Sequence, residues 1–453
     1  MLKKHLIIAL FVLFPLVVGL ACLSSSKTPT EAPEEEVIIG PTAEEIPVIE
    51  EETEPVDTGD PQDLVLLDKS LWVQEDTTVF VSFFFENPNT DVLFEDVEYT
   101  VYLYDANGDE IDSDYSTVRW IFPEQTFGIV FNFYLSDENI TVDSATVDWE
   151  YEDTSSPNGF TYPFTTTEAI FWENDDFPMV TGKIYNDDAE TYTDIRTNII
   201  CYNAAGEIVG GGYTYVEFVP GSDDMGFANY VDVFDDVASV EIHPTFTYST
   251  IYYEGDDFWS EITVLDDYFY VSEYGYIYGG ALIQNNTDYV LEDSILYATF
   301  YDDEGNVTTT GDIYIDILLP GATIGVSPWV LSQPDQAVTT EYNVLVLPGE
   351  VIDDYELSDN PFVVDSTELT GDYNDQVTVN FTNTYSKQVS EVEVYVLVYD
   401  ADGKIIGGGS DWIDEPLPAG ESTEVEVWID CDSEETIASI EAWVLPNYWT
   451  EFE

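Results

Sequence analysis

Apolar and polar side chains alternate with a period of two through much of the chain. Val97, Tyr99, Val101 and Leu103 alternate with Glu98, Thr100, Tyr102 and Tyr104, and Val392, Val394, Val396 and Val398 alternate with Glu393, Tyr395, Leu397 and Tyr399. Successive side chains of a strand leave opposite faces of its sheet, so the first set of each pair predicts a core face and the second a partly wetted one. Further strands are predicted over Val79–Phe85, Val377–Phe381, Glu424–Ile429 and Ser439–Val444. Helical spacing is scarce after the first 25 residues, and the prevalence of Thr, Val, Tyr, Phe and Ile predicts an all-β protein.

The pattern recurs. A turn reads Tyr104-Asp105-Ala106-Asn107-Gly108, then Tyr202-Asn203-Ala204-Ala205-Gly206, Tyr301-Asp302-Asp303-Glu304-Gly305 and Tyr399-Asp400-Ala401-Asp402-Gly403, with successive glycines 98, 99 and 98 positions apart. An asparagine closing an apolar strand keeps the same step at Asn87, Asn186, Asn285 and Asn383, as does a loop proline at Pro123, Pro220, Pro320 and Pro418. Asn or Asp before Gly supplies the positive backbone angles of a tight hairpin. About seven short strands in roughly 90 residues fit an immunoglobulin-like sandwich. The chain therefore divides into four tandem sandwiches over 63–155, 165–252, 260–350 and 362–453.

What precedes them is of another kind. Lys3 and Lys4 lead an apolar run from Leu6 to Leu20, and Gly19-Leu20-Ala21-Cys22 closes it. Residues 1–22 resemble a bacterial lipoprotein signal, which implies that Cys22 is lipidated, becomes the first residue and anchors an exported chain to the outside of a membrane. An uncleaved anchor is the alternative, although the run is only about 15 residues and contains Pro15. Residues 23–62, with Glu34-Glu35-Glu36 and Glu50-Glu51-Glu52, read as a disordered acidic linker of roughly 35 Å reach.

The units resemble the FxLYD domain family, small β-sandwich modules of exported bacterial lipoproteins. Val101-Tyr102-Leu103-Tyr104-Asp105 and Val396-Leu397-Val398-Tyr399-Asp400 carry the likeness with Val in place of the leading Phe, and the second copy ends Cys201-Tyr202-Asn203. The resemblance covers nearly all of residues 64–449. It implies fold and location, and it transfers no active site.

Charge changes the choice of partner. With 93 acidic against 9 basic residues, the net charge of −84 excludes nucleic acid and anionic headgroups as partners of the folded part and makes cations the natural ones. Asp105, Asn107 and Asp109 mimic the opening of a calcium loop, and Asp302 and Asp303 occupy the equivalent turn. No glutamate completes a twelve-residue EF-hand, however, and a hairpin explains the same letters. Calcium is thus the one cofactor in view, against diffuse cation screening. Paired aspartates such as Asp175-Asp176, Asp223-Asp224 and Asp256-Asp257 fall in predicted loops and pose the same choice.

Enzyme chemistry finds little to stand on. His5 leaves with the signal, so His243 has no histidine partner for a metal, and no Gly-x-Ser-x-Gly elbow accompanies it; a partly exposed strand end is its expected place. Cys201 aligns with Leu103, Phe300 and Val398 and reads as a small core hydrophobe, with a bridge to Cys431 as the alternative. Trp72, Trp120, Trp172, Trp259, Trp329, Trp412 and Trp449 stand at unrelated repeat positions and are expected in cores or seams. The expectation is a non-catalytic surface lipoprotein whose sandwiches bind protein or polysaccharide, or act as a spacer. The alternatives are an envelope or matrix component with cation-bridged acidic surfaces and, further off, a carboxylate-based glycoside hydrolase.

Overall fold

The computed structural model describes residues 61–453 apart from 74–77, 136–140, 168, 175–176, 254–256, 273–274, 328–330, 353–354, 356, 358, 372–374, 433–434 and 453. The signal, Cys22 and nearly all of the acidic linker lie outside the described residues. Repeat 1 holds β1 (Val65–Val73), β2 (Thr78–Glu86), β3 (Leu93–Tyr104), β4 (Glu110–Ile121), β5 (Thr126–Tyr134) and β6 (Ser144–Ser155). Repeat 2 holds β7 (Phe164–Thr166), β8 (Ile170–Trp172), β9 (Met179–Asn186), β10 (Thr191–Tyr202), β11 (Ile208–Val219), β12 (Asp224–Tyr230), β13 (Asp232–Val233), β14 (Ser239–Phe246) and β15 (Tyr252–Tyr253). After a 3-10 turn at Asp257–Ser260, repeat 3 holds β16 (Ile262–Val271), β17 (Tyr276–Asn285), β18 (Val290–Tyr301), β19 (Val307–Leu318), β20 (Thr323–Val326), β21 (Leu331–Ser332), β22 (Glu341–Leu347) and β23 (Glu350–Ile352). Repeat 4 holds β24 (Phe362–Thr370), β25 (Gln376–Asn383), β26 (Val389–Tyr399), β27 (Ile405–Ile413), β28 (Ser422–Trp428), β29 (Asp430–Cys431) and β30 (Ser439–Phe452).

Each repeat is a sandwich of two antiparallel sheets. Repeat 1 sets the plan with β1-β2-β5 facing β4-β3-β6, and the later copies follow it, as with β16-β17-β20 facing β19-β18-β22. The plan has six main strand positions where about seven were expected. Two of the extra short strands, β13 and β29, arise where the fifth strand changes sheets: β12 ends at Tyr230, and β13 then pairs with Gly210 and Gly211 of β11, as β29 pairs with Gly407 and Gly408 of β27. Val97, Tyr99, Val101 and Leu103 are at most 1% exposed, and Val394, Val396 and Val398 are fully buried, so the predicted core faces are core.

The landmark asparagine is a staple at the sandwich end. Asn87, Asn186, Asn285 and Asn383 are fully buried. Each Nδ2 donates to carbonyls on two segments: Val92 and Phe122 at 2.9 and 2.8 Å, Glu190 and Val219 at 2.7 and 3.3 Å, Tyr289 and Leu319 at 3.0 and 3.1 Å, and Lys387 and Leu417 at 3.0 and 2.9 Å, with Asn87 also reaching Ile121 and Asn285 also reaching Leu318. Each Oδ1 accepts the N–H two residues on, from Asn89, Asp188, Thr287 or Tyr385. One amide thus ties the second strand to the loop before the third and to the end of the fourth, giving buried backbone groups there a side-chain partner.

Two backbone devices recur with it. In each Tyr-Asp or Tyr-Asn hairpin the glycine alone takes positive φ, Gly108, Gly206, Gly305 and Gly403 all lying near +80°, with Gly108 N–H bonded to the Asp105 carbonyl. The loop is therefore a three-residue turn ending in a left-handed glycine, and the residue before it, Asn107, Ala205, Glu304 or Asp402, keeps an ordinary angle. Twelve residues before each of these glycines stands an acidic residue in the left-handed region: Asp96, Asp194, Asp293 and Glu391, with φ of 49°, 52°, 58° and 55°. Strand pairing skips Asp96, and the inward set shifts from Phe94 to Val97, breaking strict alternation at that point.

The sandwiches are stacked face to face. The outer face of β2 and β5 packs on β10, β11 and β14 of the next repeat; β9 and β12 pack on β18 and β19; β17 and β20 pack on β26, β27 and β30. At the centre of each seam lies a glycine in the fifth strand position. A Cβ on Gly128, Gly226 or Gly325 would collide with Ile200, Thr299 or Leu397, the same position of the third strand in the following repeat. This burial corrects the expected wetting of that face in the last copy. Tyr395, Leu397 and Tyr399 are 2%, 0% and 9% exposed because repeat 3 covers them. The cores fuse accordingly, with Leu93, Phe122, Ile295, Tyr297 and Leu347 joining the core of repeat 2.

Basic residues concentrate at the seams. Arg196 is 3% exposed, donates to the Val130 carbonyl at 2.9 Å and the Ser116 hydroxyl at 2.8 Å, and lies 4.0 Å from the Tyr213 ring centre. Arg119 donates to the Thr250 carbonyl. Lys183 sits 4.7 Å from the Tyr301 ring centre, and Lys404 3.3 Å from that of Tyr268.

At the two ends the pattern stops. Asn383 N–H bonds to the Glu421 carbonyl as Asn87 N–H does to Gln125, and three residues on, where Gly128 stands in repeat 1, repeat 4 carries exposed Glu424. In repeat 1 the face that later copies bury keeps exposed Glu98, Asp148 and Glu150. Charged end faces of this kind oppose the seam packing used between the repeats.

Two substitutions test these devices. Asn285→Ala removes the amide that joins the Tyr289 and Leu319 carbonyls and takes away the acceptor of the Thr287 N–H, and is expected to cost about 1–3 kcal/mol in denaturant unfolding, while exposed Asn107→Ala costs under about 1 kcal/mol. Gly226→Val wedges its seam, with an expected cost of about 1–3 kcal/mol and the splitting of one cooperative calorimetric transition into two.

Candidate functional site

The hairpin residues read as calcium ligands are occupied by their own turn. Asp105 Oδ1 accepts the N–H groups of Asn107 and Asp109 at 2.8 and 2.9 Å, and Oδ2 accepts Asn107 Nδ2 at 3.0 Å. These bonds, the Asp109 N–H foremost, hold its carboxyl below the usual range. Asp302 repeats the geometry with Glu304 and Asn306. Burial raises its carboxyl, and those bonds outweigh the rise and leave it lowered. In the second copy the position is Asn203, whose Oδ1 accepts Ala205 and Glu207 N–H at 2.9 and 3.0 Å. A neutral amide serves there, so the turn requires an oxygen acceptor rather than a charge. Asp109 and Asp303 are exposed on the same tips. Among the described residues no three His, Cys, Asp or Glu side chains gather closely enough to hold a metal ion. The pair Asp175-Asp176 and residue Asp256 lie outside the described residues.

His243 is 9% exposed, which corrects the expected strand end. It lies in the first seam, where repeat 1 covers β14, with its ring 5.3 Å from that of Phe84 and its Nε2 3.6 Å from Glu241 Oε2. Cys201 is fully buried in the core with its thiol pushed up to about 12 by desolvation, and Cys431 is a half-buried free thiol. Trp72 stacks on Phe80 and on Phe234 of the next repeat, Trp120 meets Phe160 and Phe246, and Trp259 packs on Phe218, all at seams. Trp172 donates to Thr181 Oγ1 at 2.8 Å. Trp412 is 51% exposed, outside any core; Trp329 and the Trp449 side chain lie outside what is described.

The seam between repeats 2 and 3 opens into a cleft. On one side of its closed part the Tyr297 hydroxyl donates to the Gly226 carbonyl at 3.0 Å, and Lys183 pairs with Asp224 at 3.4 Å. The open part is a cleft of about 220 Å³ lined by Met179, Ala228, Asn229, Tyr230, Thr309, Thr310, Leu331 and Ser332. Met179 and Thr309 are buried, whereas Tyr230 is half exposed, with its hydroxyl 3.3 Å from Ser332 Oγ and its ring 5.8 Å from exposed Phe177. Nearby, the Asp335 N–H donates to Asn174 Oδ1 and Gln336 Nε2 donates to the Glu173 carbonyl, joining the same two repeats. None of the eight lining residues is charged. Sequence reasoning missed this cleft, whose residues lie up to about 150 positions apart and meet only through stacking.

No protein-family profile matches the chain, and no curated protein matches it in sequence. Among solved structures, the native conformation of E. coli alpha-2-macroglobulin is similar at 8% identity and a TM-score of 0.12, covering 83% of this chain and 29% of that one. Dimeric latent PorU from Porphyromonas gingivalis gives 9% identity and 0.13, covering 85% and 34%, and Streptomyces avermitilis alpha-L-rhamnosidase complexed with L-rhamnose gives 10% and 0.12, covering 84% and 57%. The chain thus spans about a third of the length of the first two. Superpositions this loose carry no argument about activity.

Seam burial also sets titration. Glu393, on the covered face of β26, has its carboxyl raised to about 7, chiefly by desolvation, with Asp316 adding to the rise. Burial likewise raises Glu217, Asp232, Asp312 and Asp430. The folded state then holds protons that the unfolded chain releases, so stability falls as pH climbs from about 4.5 toward 7. For Glu393 the loss is about 3 kcal/mol. Thermal unfolding of the chain is expected to shift downward between pH 5 and pH 8, and Glu393→Gln to flatten that fall and raise the midpoint at pH 8. An unchanged slope in the variant would remove Glu393 as its source.

Proposed function

We propose that the chain is a non-catalytic, lipid-anchored extracytoplasmic protein that holds a stack of four sandwiches away from a membrane and presents it to a protein or polysaccharide. The observation that carries this reading is the stacking itself. Seams built from a glycine and an interlocking side chain fix each repeat on the next, which suits a spacer and display scaffold. The signal-like segment ending at Cys22 and the acidic linker supply attachment and reach, and the charge of −84 keeps the body off an anionic surface.

The residues that enzyme chemistry would recruit have structural roles. His243 is enclosed between repeats, Cys201 is core, and the Asp105 and Asp302 carboxylates close turns. Calcium-bridged association of acidic surfaces is the competing reading, and the exposed carboxylates at both end faces are what favour it.

Expressed in a bacterium that processes lipoproteins, the chain is expected in the membrane fraction, incorporating labelled fatty acid, and Cys22→Ala to lose both. Membrane retention of the variant would replace lipidation with an uncleaved anchor; a cytosolic wild-type chain would overturn the proposal.

A further inference from the structure

We propose that the cleft between repeats 2 and 3 binds one neutral sugar ring of a glycan chain. This rests on the presentation reading above and names its ligand class. The first support is electrostatic contrast. In a chain where 93 of 453 residues are acidic, the eight that line the cleft include no Asp, Glu, Lys, Arg or His. An anionic ligand meets the field of the whole protein without a cation in the cleft to hold it. A cationic ligand finds no lining carboxylate to pair with once it is desolvated.

The second support is the mixture of surfaces. Thr309, Thr310, Ser332 and Tyr230 bring hydroxyls and Asn229 an amide, while Met179, Ala228 and Leu331 bring apolar surface. A purely apolar ligand would strip water from these polar groups without replacing its hydrogen bonds. A pyranose matches both kinds of surface, with hydroxyls around its edge and C–H groups on its faces. The half-exposed Tyr230 ring, braced by Phe177 and by the Tyr230–Ser332 hydroxyl contact, offers the flat amphipathic surface on which such a face stacks. Asn229 Nδ2 donates to the Tyr230 carbonyl at 2.7 Å, fixing the amide beside it.

The third support is size. At about 220 Å³ the cleft is smaller than the sites that enclose drug-sized ligands, and it remains open to solvent. It suits a single ring whose neighbours continue outside. Because its walls come from β9 and β12 of one repeat and β19 and β21 of the next, it exists only in the stacked array.

The test is migration of the full chain through native gels containing β-glucan, mannan, galactan, xylan or starch, with polygalacturonate as the anionic comparison. At least one neutral polysaccharide is expected to retard the wild type. Tyr230→Ala is expected to weaken that retardation by about tenfold, and Tyr230→Phe, which keeps the ring, by less than about threefold. Thermal midpoints equal to wild type show that both variants are folded, as expected for a half-exposed side chain. Retardation unchanged in Tyr230→Ala moves sugar binding elsewhere on the array and overturns the cleft while leaving the presentation reading intact. No retardation by any neutral polysaccharide, or retardation by polygalacturonate alone, also overturns it. Loss of membrane attachment in the wild-type chain would instead sink the broader reading.

Discussion

The array depends on a backbone without a side chain meeting a side chain without a cavity of its own. Where Gly128, Gly226 and Gly325 leave the fifth strand bare, Ile200, Thr299 and Leu397 enter from the following sandwich. Sheets can then approach to packing distance across a seam as they do within a sandwich, and the third strand is buried on both faces. This explains why Tyr395 and Leu397 are as inaccessible as Val394 and Val396, although strand periodicity alone assigns them to opposite environments. It also explains why the hydrophobic core crosses repeat boundaries.

Such contacts must form against strong self-repulsion. Of the six basic residues after position 27, Arg119, Arg196, Lys183 and Lys404 lie at seams. Their contacts run largely to carbonyls, hydroxyls and aromatic rings. Positive charge placed there lowers repulsion where two acidic bodies come closest, and the ring and carbonyl contacts lend those cations direction. Buried Glu393 acts against them when ionised, so proton uptake and seam cohesion are coupled.

Much of one repeat was legible. Alternation at Val97–Leu103, the Tyr-Asp turn and the 98-residue step marked strands, hairpins and boundaries because each follows from local chain geometry. The asparagine was visible as a landmark, but its carbonyl partners, four or five and more than thirty residues on, belong to the folded sandwich end. Asp96, Asp194, Asp293 and Glu391 escaped notice among so many acids, and only their backbone angles distinguish them. Seam and cleft were illegible for a stronger reason. Whether Tyr230 meets Ser332 depends on how two finished sandwiches stack, and no period in the sequence records that operation.

The interlock is not repeated on the outer faces of repeats 1 and 4. Repeat 4 presents Glu424 where its predecessors present glycine, and repeat 1 presents Glu98, Asp148 and Glu150 on the face that would receive another sandwich. A second copy placed end to end by the seam geometry would press carboxylates against carboxylates and put a glutamate side chain where the seam needs empty space. The internal seams are the places where neighbouring repeats jointly build a surface. Of these, the second seam opens into the cleft between Asn229 and Thr310, because the short β21 lies beside β17 and brings Leu331 and Ser332 to its edge. A stack assembled from one repeated rule thus acquires a concave, uncharged feature that no repeat has alone.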